Sequence, residues 1–476
     1  MKNRTKSIVT IVYLLILSVG FVLLYSTATS PLYPTFYGDD AAQFQTIGMC
    51  WSKGLLPYVG AFDHKGPFIF WVNMLGYMSS YVLIQSLFLF ASLLGAYKIT
   101  KLYSNKLVWH LFSGFLVIYY MYYIYEGGDM TEEYCLPFLM WSLYYIVKYL
   151  KGEGKKKEEH PVGSALLYGI CLGISILTRM TNFIMVAAGV ITIVVILISN
   201  RKFRNLFWNA MTFILGAVAT ILPFAVYFAI NNAFVEFWDG TVLANINYVN
   251  VNVPWIFEID SILVIRNWIL AYLCVVVLLI TIFCSKVDGG VRLFSIIAFI
   301  IEIVFFCSGK FYYHYAIICI PQLVMVTGET ISLIGSKTIM PSIALGVALL
   351  FYSYVNMVAF FRWPYDRYVE YNHEDVMDYD ALMDRVDGTF VAYGDYYTKP
   401  LYIRCNILPH YRYFTVQDWH SRISSELKAD IYRTFKYGDV EYVLTQDDRC
   451  ELIKDVLVTD YHCLETNGNF SLYKRN

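Results

Sequence analysis

About eleven apolar runs of close to 20 residues recur along this chain, and charge is confined mostly to the short segments between them. A run of that length is what an α-helix needs to cross a hydrocarbon core roughly 30 Å thick. Because lipid offers the backbone no hydrogen-bond partners, such segments must satisfy their own amides and are helical. The fold expected is therefore mainly α, a polytopic transmembrane bundle of about 11 spans. Charged residues make up 15% of the sequence, well below the roughly 25% of soluble domains. The formal charge of -1, with no basic stripe beyond loop clusters that orient a chain in a bilayer, excludes a nucleic-acid partner.

Lys2, Arg4 and Lys6 precede the first run, Ser7 to Tyr25. It is longer than a signal-peptide core and lacks a clear small-x-small cleavage site, so it reads as a retained anchor. Further crossings are expected at Val82–Tyr103, Leu107–Tyr125, Tyr134–Leu150, Val162–Thr178, Phe183–Ser199 and Phe207–Ile230. Ile262–Cys284, Leu293–Cys307, Tyr315–Ile334 and Ile339–Phe361 complete the set, while Phe68–Met78 reads as an interfacial segment. With the N-terminus inside, about 17 Lys and Arg fall on the inner side and about five on the outer side before the tail, the asymmetry of the positive-inside rule. This orientation puts the C-terminal tail outside the cytoplasmic membrane. The expected organisation is a transmembrane domain over 1–361 and an extracytoplasmic α/β domain over 362–476. In the tail, Thr389–Tyr393 and Glu441–Thr445 read as strands and Arg422–Phe435 as a helix, with Asn467-Gly468 turning a hairpin between Tyr461–Glu465 and Phe470–Lys474. Cys450 and Cys463 are spaced to leave a disulfide open.

Ionisable groups held against a membrane are costly and are usually retained for function. The densest such segment follows the first run, from Tyr37 to Gly76. Asp39 and Asp40 open it, and Asp63-His64-Lys65-Gly66-Pro67 closes it. Asp40 sits where a short helix over Ala41–Trp51 would begin, so it is either a capping acid or a general base for an acceptor hydroxyl. Lys65 either snorkels or binds a lipid phosphate, with His64 beside it. Arg179, Lys310 and His314 add cationic groups at the same depth, which suggests an anionic ligand. Glu132 and Glu133 begin a helix after Thr131, where acids suit the dipole, or they orient an acceptor, as Asp63 could. Hard oxygen ligands at Asp39 and Asp40 with Glu132 leave a divalent cation open; no metal site is assigned. No phosphate-cradling glycine loop is present, so no nucleotide cofactor is expected.

These residues resemble the GT-C superfamily of polytopic glycosyltransferases, in particular the bacterial proteins related to protein O-mannosyltransferases and lipid A aminoarabinose transferases. The similarity is carried by Asp40 with Phe44 four residues on, by Gly54-Leu55-Leu56-Pro57-Tyr58 and by the knot at Asp63–Pro67. The TEEY element from Thr131, the turn Leu177–Asn182 and the stretch from Tyr312 to Pro321 extend it over most of the membrane part. It implies a polyprenyl-phosphate sugar donor, Asp40 as catalytic base, Lys65 near the donor phosphate and inversion at the anomeric carbon. One departure is that Ala41 follows Asp40, whereas family members often carry a second acid there; here the extra acid, Asp39, precedes.

Three functions follow from the sequence. The first is an enzyme that transfers a sugar from a lipid-phosphate carrier to an extracytoplasmic acceptor, a cell-envelope glycan, lipid or protein. The second is a transporter or flippase of lipid-linked saccharide, which is disfavoured because the charges cluster at one surface and no inverted repeat is visible. The third is an inactive relative that scaffolds an envelope assembly.

Overall fold

The structure is a computed structural model that describes residues 3–34, 38–152, 159–246, 287–306, 312–333, 357–372, 377–394, 398–446 and 450–476. The expected crossing Ile262–Cys284, most of Ile339–Phe361, and Lys310 lie outside the described residues. The chain divides into two compact units, each assembled from separated stretches.

The first unit comprises Met1–Leu32, Val82–Phe224 and Val253–Val369. Its helices include Asn3–Tyr25, Leu107–Ile124, Thr131–Leu150, Val162–Ile176, Ile184–Ser199 and Gly289–Phe306. Helix Phe203–Ile230 runs on into the second unit, and Tyr81–Lys101 starts from it. Six described segments are long and apolar enough to cross a membrane: Arg4–Tyr25, Tyr81–Lys101, Leu107–Ile124, Met180–Ser199, Phe203–Ile230 and Tyr313–Ser332. Their outward residues explain why. Ile8, Val12, Leu15 and Ile16 on the first helix, and Phe207, Ile214, Leu215 and Leu222 on the long one, are apolar yet exposed, which is stable only where lipid replaces water. The protein is a multi-pass helical membrane protein.

The second unit comprises Tyr33–Tyr81, Ala225–Asn252 and Glu370–Asn476. It contains a four-stranded sheet in the order β1-β2-β4-β3, with β1 Phe390–Tyr393, β2 Tyr442–Gln446, β3 Tyr461–Asn467 and β4 Phe470–Arg475. β1 and β2 run parallel, so a crossover must join them. That connection carries the helix Ser425–Tyr437, whose Ile431 and Phe435 pack with Val391, Val443 and Leu457 in one apolar core. β3 and β4 form the hairpin expected at Asn467-Gly468, and Gly468 supplies the positive φ of 53° that the turn requires. Cys450 is buried and Cys463 exposed, and no disulfide joins them.

In the same unit, helix Asp39–Ser52 packs along helix Pro67–Met78. The second helix has 12 residues, so at 1.5 Å per residue it spans about 18 Å and falls short of a bilayer crossing. The two approach closely at Gly48, where an added Cβ would lie 2.6 Å from backbone atoms of Asn73 and Met74. Gly48→Ala must therefore push the helices apart, at an expected cost of about 1–3 kcal/mol, read as a lower thermal midpoint in detergent. An unchanged midpoint would mean that the packing is looser than described.

Candidate active site

Helix Asp39–Ser52 begins at Gly38, whose extended backbone (φ -60°, ψ 138°) makes it the N-cap. The sequence places Asp40 at or near the cap, and it stands near it as the second helical residue, where a carboxylate suits the exposed amides and the positive end of the dipole. Asp39 is the first helical residue. The Asp40 carboxylate is thus held on a rigid element at its electropositive end.

The knot that closes the segment is a connected chain of polar groups. The Asp63 carboxylate accepts from the Lys65 backbone amide at 2.8 Å, an Asx turn that sharply reverses the chain. His64 Nδ1 faces Asp63 Oδ1 at 3.7 Å, and Lys65 Nζ donates to His64 Nε2 at 3.2 Å. The tautomer protonated at Nδ1 suits both contacts. Buried Tyr58 donates to the Lys65 carbonyl at 2.7 Å and meets Thr241 at 3.2 Å. Asn245 donates to the His64 carbonyl at 2.6 Å. Tyr58 has φ 69°, a left-handed conformation uncommon for a non-glycine residue and here fixed by those two bonds.

Burial pushes the Asp63 carboxyl above its ordinary pKa, Lys65 and Lys399 pull it down, and the negative charge of Asp40 pushes it up again. Asp40, Lys65 and Lys399 are therefore all charged neighbours of Asp63. The folded protein binds the Asp63 proton more tightly than the unfolded chain does, so the stability from that proton is full below the ordinary carboxylate range and is lost as pH rises from there through the raised folded-state pKa. Asp63→Asn keeps an acceptor for the Asx turn and removes the charge. Its thermal midpoint relative to the parent is expected to be higher at pH 7 than at pH 4; a pH-independent difference would contradict the burial of a charged Asp63.

The tail supplies the rest of this surround. The Phe62 amide donates to the Arg412 carbonyl at 2.8 Å, and the Phe62 ring lies 4.9 Å from Tyr413 and 5.7 Å from His420. Trp419 lies 6.2 Å from His64. Burial, with the charges of Lys399 and Arg412 nearby, lowers the His420 pKa to about 3, so this imidazole is neutral. Lys399, Trp419 and His420 were not legible as site residues in the sequence, and Tyr58 was legible only as the end of the Gly54–Tyr58 segment. Only the Asp63-x-Lys65 spacing carried a local signal, that of the Asx turn.

The remaining described candidates belong to the first unit and form a second cluster. Arg179 donates to Glu132 at 3.0 Å and lies over the Tyr315 ring. Thr131 donates to the other Glu132 oxygen at 2.8 Å, and His314 Nε2 stands 4.0 Å from it. His314 Nδ1 meets Glu126 at 2.6 Å, and Glu126 also accepts from the Tyr313 amide at 3.0 Å. Glu133 faces a different set of donors: Tyr125 at 2.5 Å, the Asp129 amide at 2.8 Å and Gln85 at 3.1 Å. Glu126, Gly127, Gly128 and Asp129 all have positive φ. Two non-glycine residues in that region are costly, and the hydrogen bonds to Glu126 and Asp129 hold them there. Arg179 and His314 thus lie against carboxylates. Among the described residues, no group of three or more His, Cys, Asp or Glu is placed to hold a metal ion.

The chain is similar to the crystal structure of ArnT from Cupriavidus metallidurans bound to undecaprenyl phosphate, with 12% identity and a TM-score of 0.58 over 98% of this chain and 97% of that one. The apo form of the same protein gives the same TM-score and identity over 99% and 98%. The Archaeoglobus fulgidus oligosaccharyltransferase tethered with an acceptor peptide containing the NVT sequon matches with 11% identity and a TM-score of 0.50, over 98% of this chain and 74% of that one. No curated protein matches the sequence. Residues 1–341 match the family described as "Putative competence-induced protein Ccs4 N-terminal domain", and the chain belongs to that family.

Proposed function

We propose that this protein is an integral-membrane glycosyltransferase that moves a hexosyl or pentosyl group from a polyprenyl-phosphate donor to an extracytoplasmic acceptor. The observation that carries the reading is that buried Asp63 feels both the Asp40 carboxylate and the Lys65 ammonium, the latter held on His64 at 3.2 Å. Full-length likeness to a fold solved with undecaprenyl phosphate supports the donor class. The Lys and Arg asymmetry supports a cytoplasmic N-terminus, about eleven spans and an extracytoplasmic domain over 362–476.

In this reading the Asp40 carboxylate takes the proton of an acceptor hydroxyl. The freed oxygen bonds to the anomeric carbon from the face opposite the phosphate, and the C–O bond to phosphate breaks with its electron pair. The configuration inverts and polyprenyl phosphate departs with its charge stabilised by the Lys65 ammonium, which His64 orients. Asp39 raises the negative potential at the helix start. Arg179 and His314, paired with Glu132 and Glu126, hold the loop before helix Thr131–Leu150. Lys310 is assigned from the sequence to the donor phosphate.

Lys65→Met tests the donor half. In vesicles supplied with a labelled undecaprenyl-phosphate sugar, the donor KM is expected to rise about tenfold or more, and inhibition by added undecaprenyl phosphate should weaken in parallel, as for loss of a charge-assisted contact. Unchanged inhibition would remove Lys65 from the phosphate.

A further inference from the structure

A groove of about 520 Å³ opens beside the knot, wholly within the second unit. His64 forms part of its wall, so the groove reaches the knot whose Asp63 feels the charge of Asp40. Three aromatic residues are among its lining: Phe62, Tyr413 and Trp419. Buried His420 backs them, 4.8 Å from Tyr413 and 4.9 Å from Trp419, so the rings are held in place. Around them stand the carboxylates Glu236, Asp239, Glu426 and Asp430, against the guanidinium groups of Arg412 and Arg433. Asp430 accepts from Tyr411 at 2.8 Å, whereas Asp239 is exposed at the rim.

Resting on the transferase reading above, we infer that this groove is the acceptor subsite and that it takes a neutral or amine-bearing saccharide chain. Flat rings offer a stacking surface to the C–H face of a pyranose, and carboxylates and guanidinium groups accept from and donate to its hydroxyls. Four carboxylates against two arginines repel a phosphate-rich polymer. The same imbalance separates this groove from the donor phosphate, which the Lys65 side of the knot attracts.

Binding to the full-length protein in nanodiscs tests the inference without requiring turnover. Saturation-transfer-difference NMR would compare maltotetraose, a glucosamine tetramer, a glycerol-phosphate tetramer and a Gly-Ser peptide of similar length. The two saccharides are expected to bind, with affinity falling roughly 5–10-fold in Trp419→Ala and the glucosamine tetramer losing more than maltotetraose in Asp239→Asn. Asp239 is exposed, so its variant should fold normally. Saccharide binding equal in both variants, or preference for the phosphate oligomer or the peptide, would overturn the assignment. Failure of the transferase reading looks different: no sugar leaves any polyprenyl-phosphate donor, whatever binds the groove.

Discussion

Asp40→Asn is expected to reduce sugar transfer by about 10²-fold or more while leaving the amount of folded protein nearly unchanged. The asparagine side chain has the shape of the aspartate it replaces and still suits the first turn of helix Asp39–Ser52, so the scaffold has little reason to move. What disappears is the charge, worth about 0.3–1 kcal/mol to the helix dipole but essential for accepting a proton. The variant also removes a negative neighbour of Asp63, whose carboxyl pKa then falls toward its ordinary value. Donor KM should change far less than kcat. Full activity in Asp40→Asn would move the base to Asp39 or Asp63, and the matching single variants, measured in the same membranes, decide between them.

Arg179→Ala is expected to destabilise the membrane unit by about 3–5 kcal/mol, the cost typical of stripping one partner from a buried ion pair. Glu132 has no exposed surface, and its carboxylate is met by Arg179 at 3.0 Å and Thr131 at 2.8 Å. Without the guanidinium, a buried charge keeps only a hydroxyl and a more distant imidazole. The double variant Arg179→Ala with Glu132→Gln removes the orphaned charge as well and should recover most of the loss in thermal midpoint. If the single variant melts like the parent, the pair contributes no stability and Arg179 is free to be reassigned to the donor.

The parts of this protein legible in the sequence are those fixed by local rules. Apolar run length located the helices Tyr81–Lys101 and Leu107–Ile124 within a few residues, because a bilayer sets that length physically. The hairpin at Asn467-Gly468 was legible because only a few residue types tolerate its turn. The charged knots at Asp39–Asp40 and Asp63–Lys65 stood out because charge beside lipid is expensive. The partners of those knots were not legible. Trp419, His420 and Lys399 lie more than 300 positions from Asp63, and no spacing rule links residues brought together only by the packing of the tail with the first loop. Arg179 and His314 read as free cations in the sequence, since nothing local announces that Glu132 and Glu126 face them. Gly48 likewise reads as a small residue in a helix until Asn73 and Met74 are placed against it.

The central claim is that sugar leaves a lipid phosphate at this site. Its most direct test supplies the purified wild-type protein, in vesicles with cell-envelope acceptor extract, with a panel of radiolabelled undecaprenyl-phosphate sugars. The account predicts that for at least one donor the label moves from the organic-soluble carrier to acceptor material, with one undecaprenyl phosphate released per sugar transferred. If label crosses the bilayer while remaining on its carrier, and none is transferred from any donor, the protein is a translocator of lipid-linked sugar and the catalytic assignment of Asp40 falls with it.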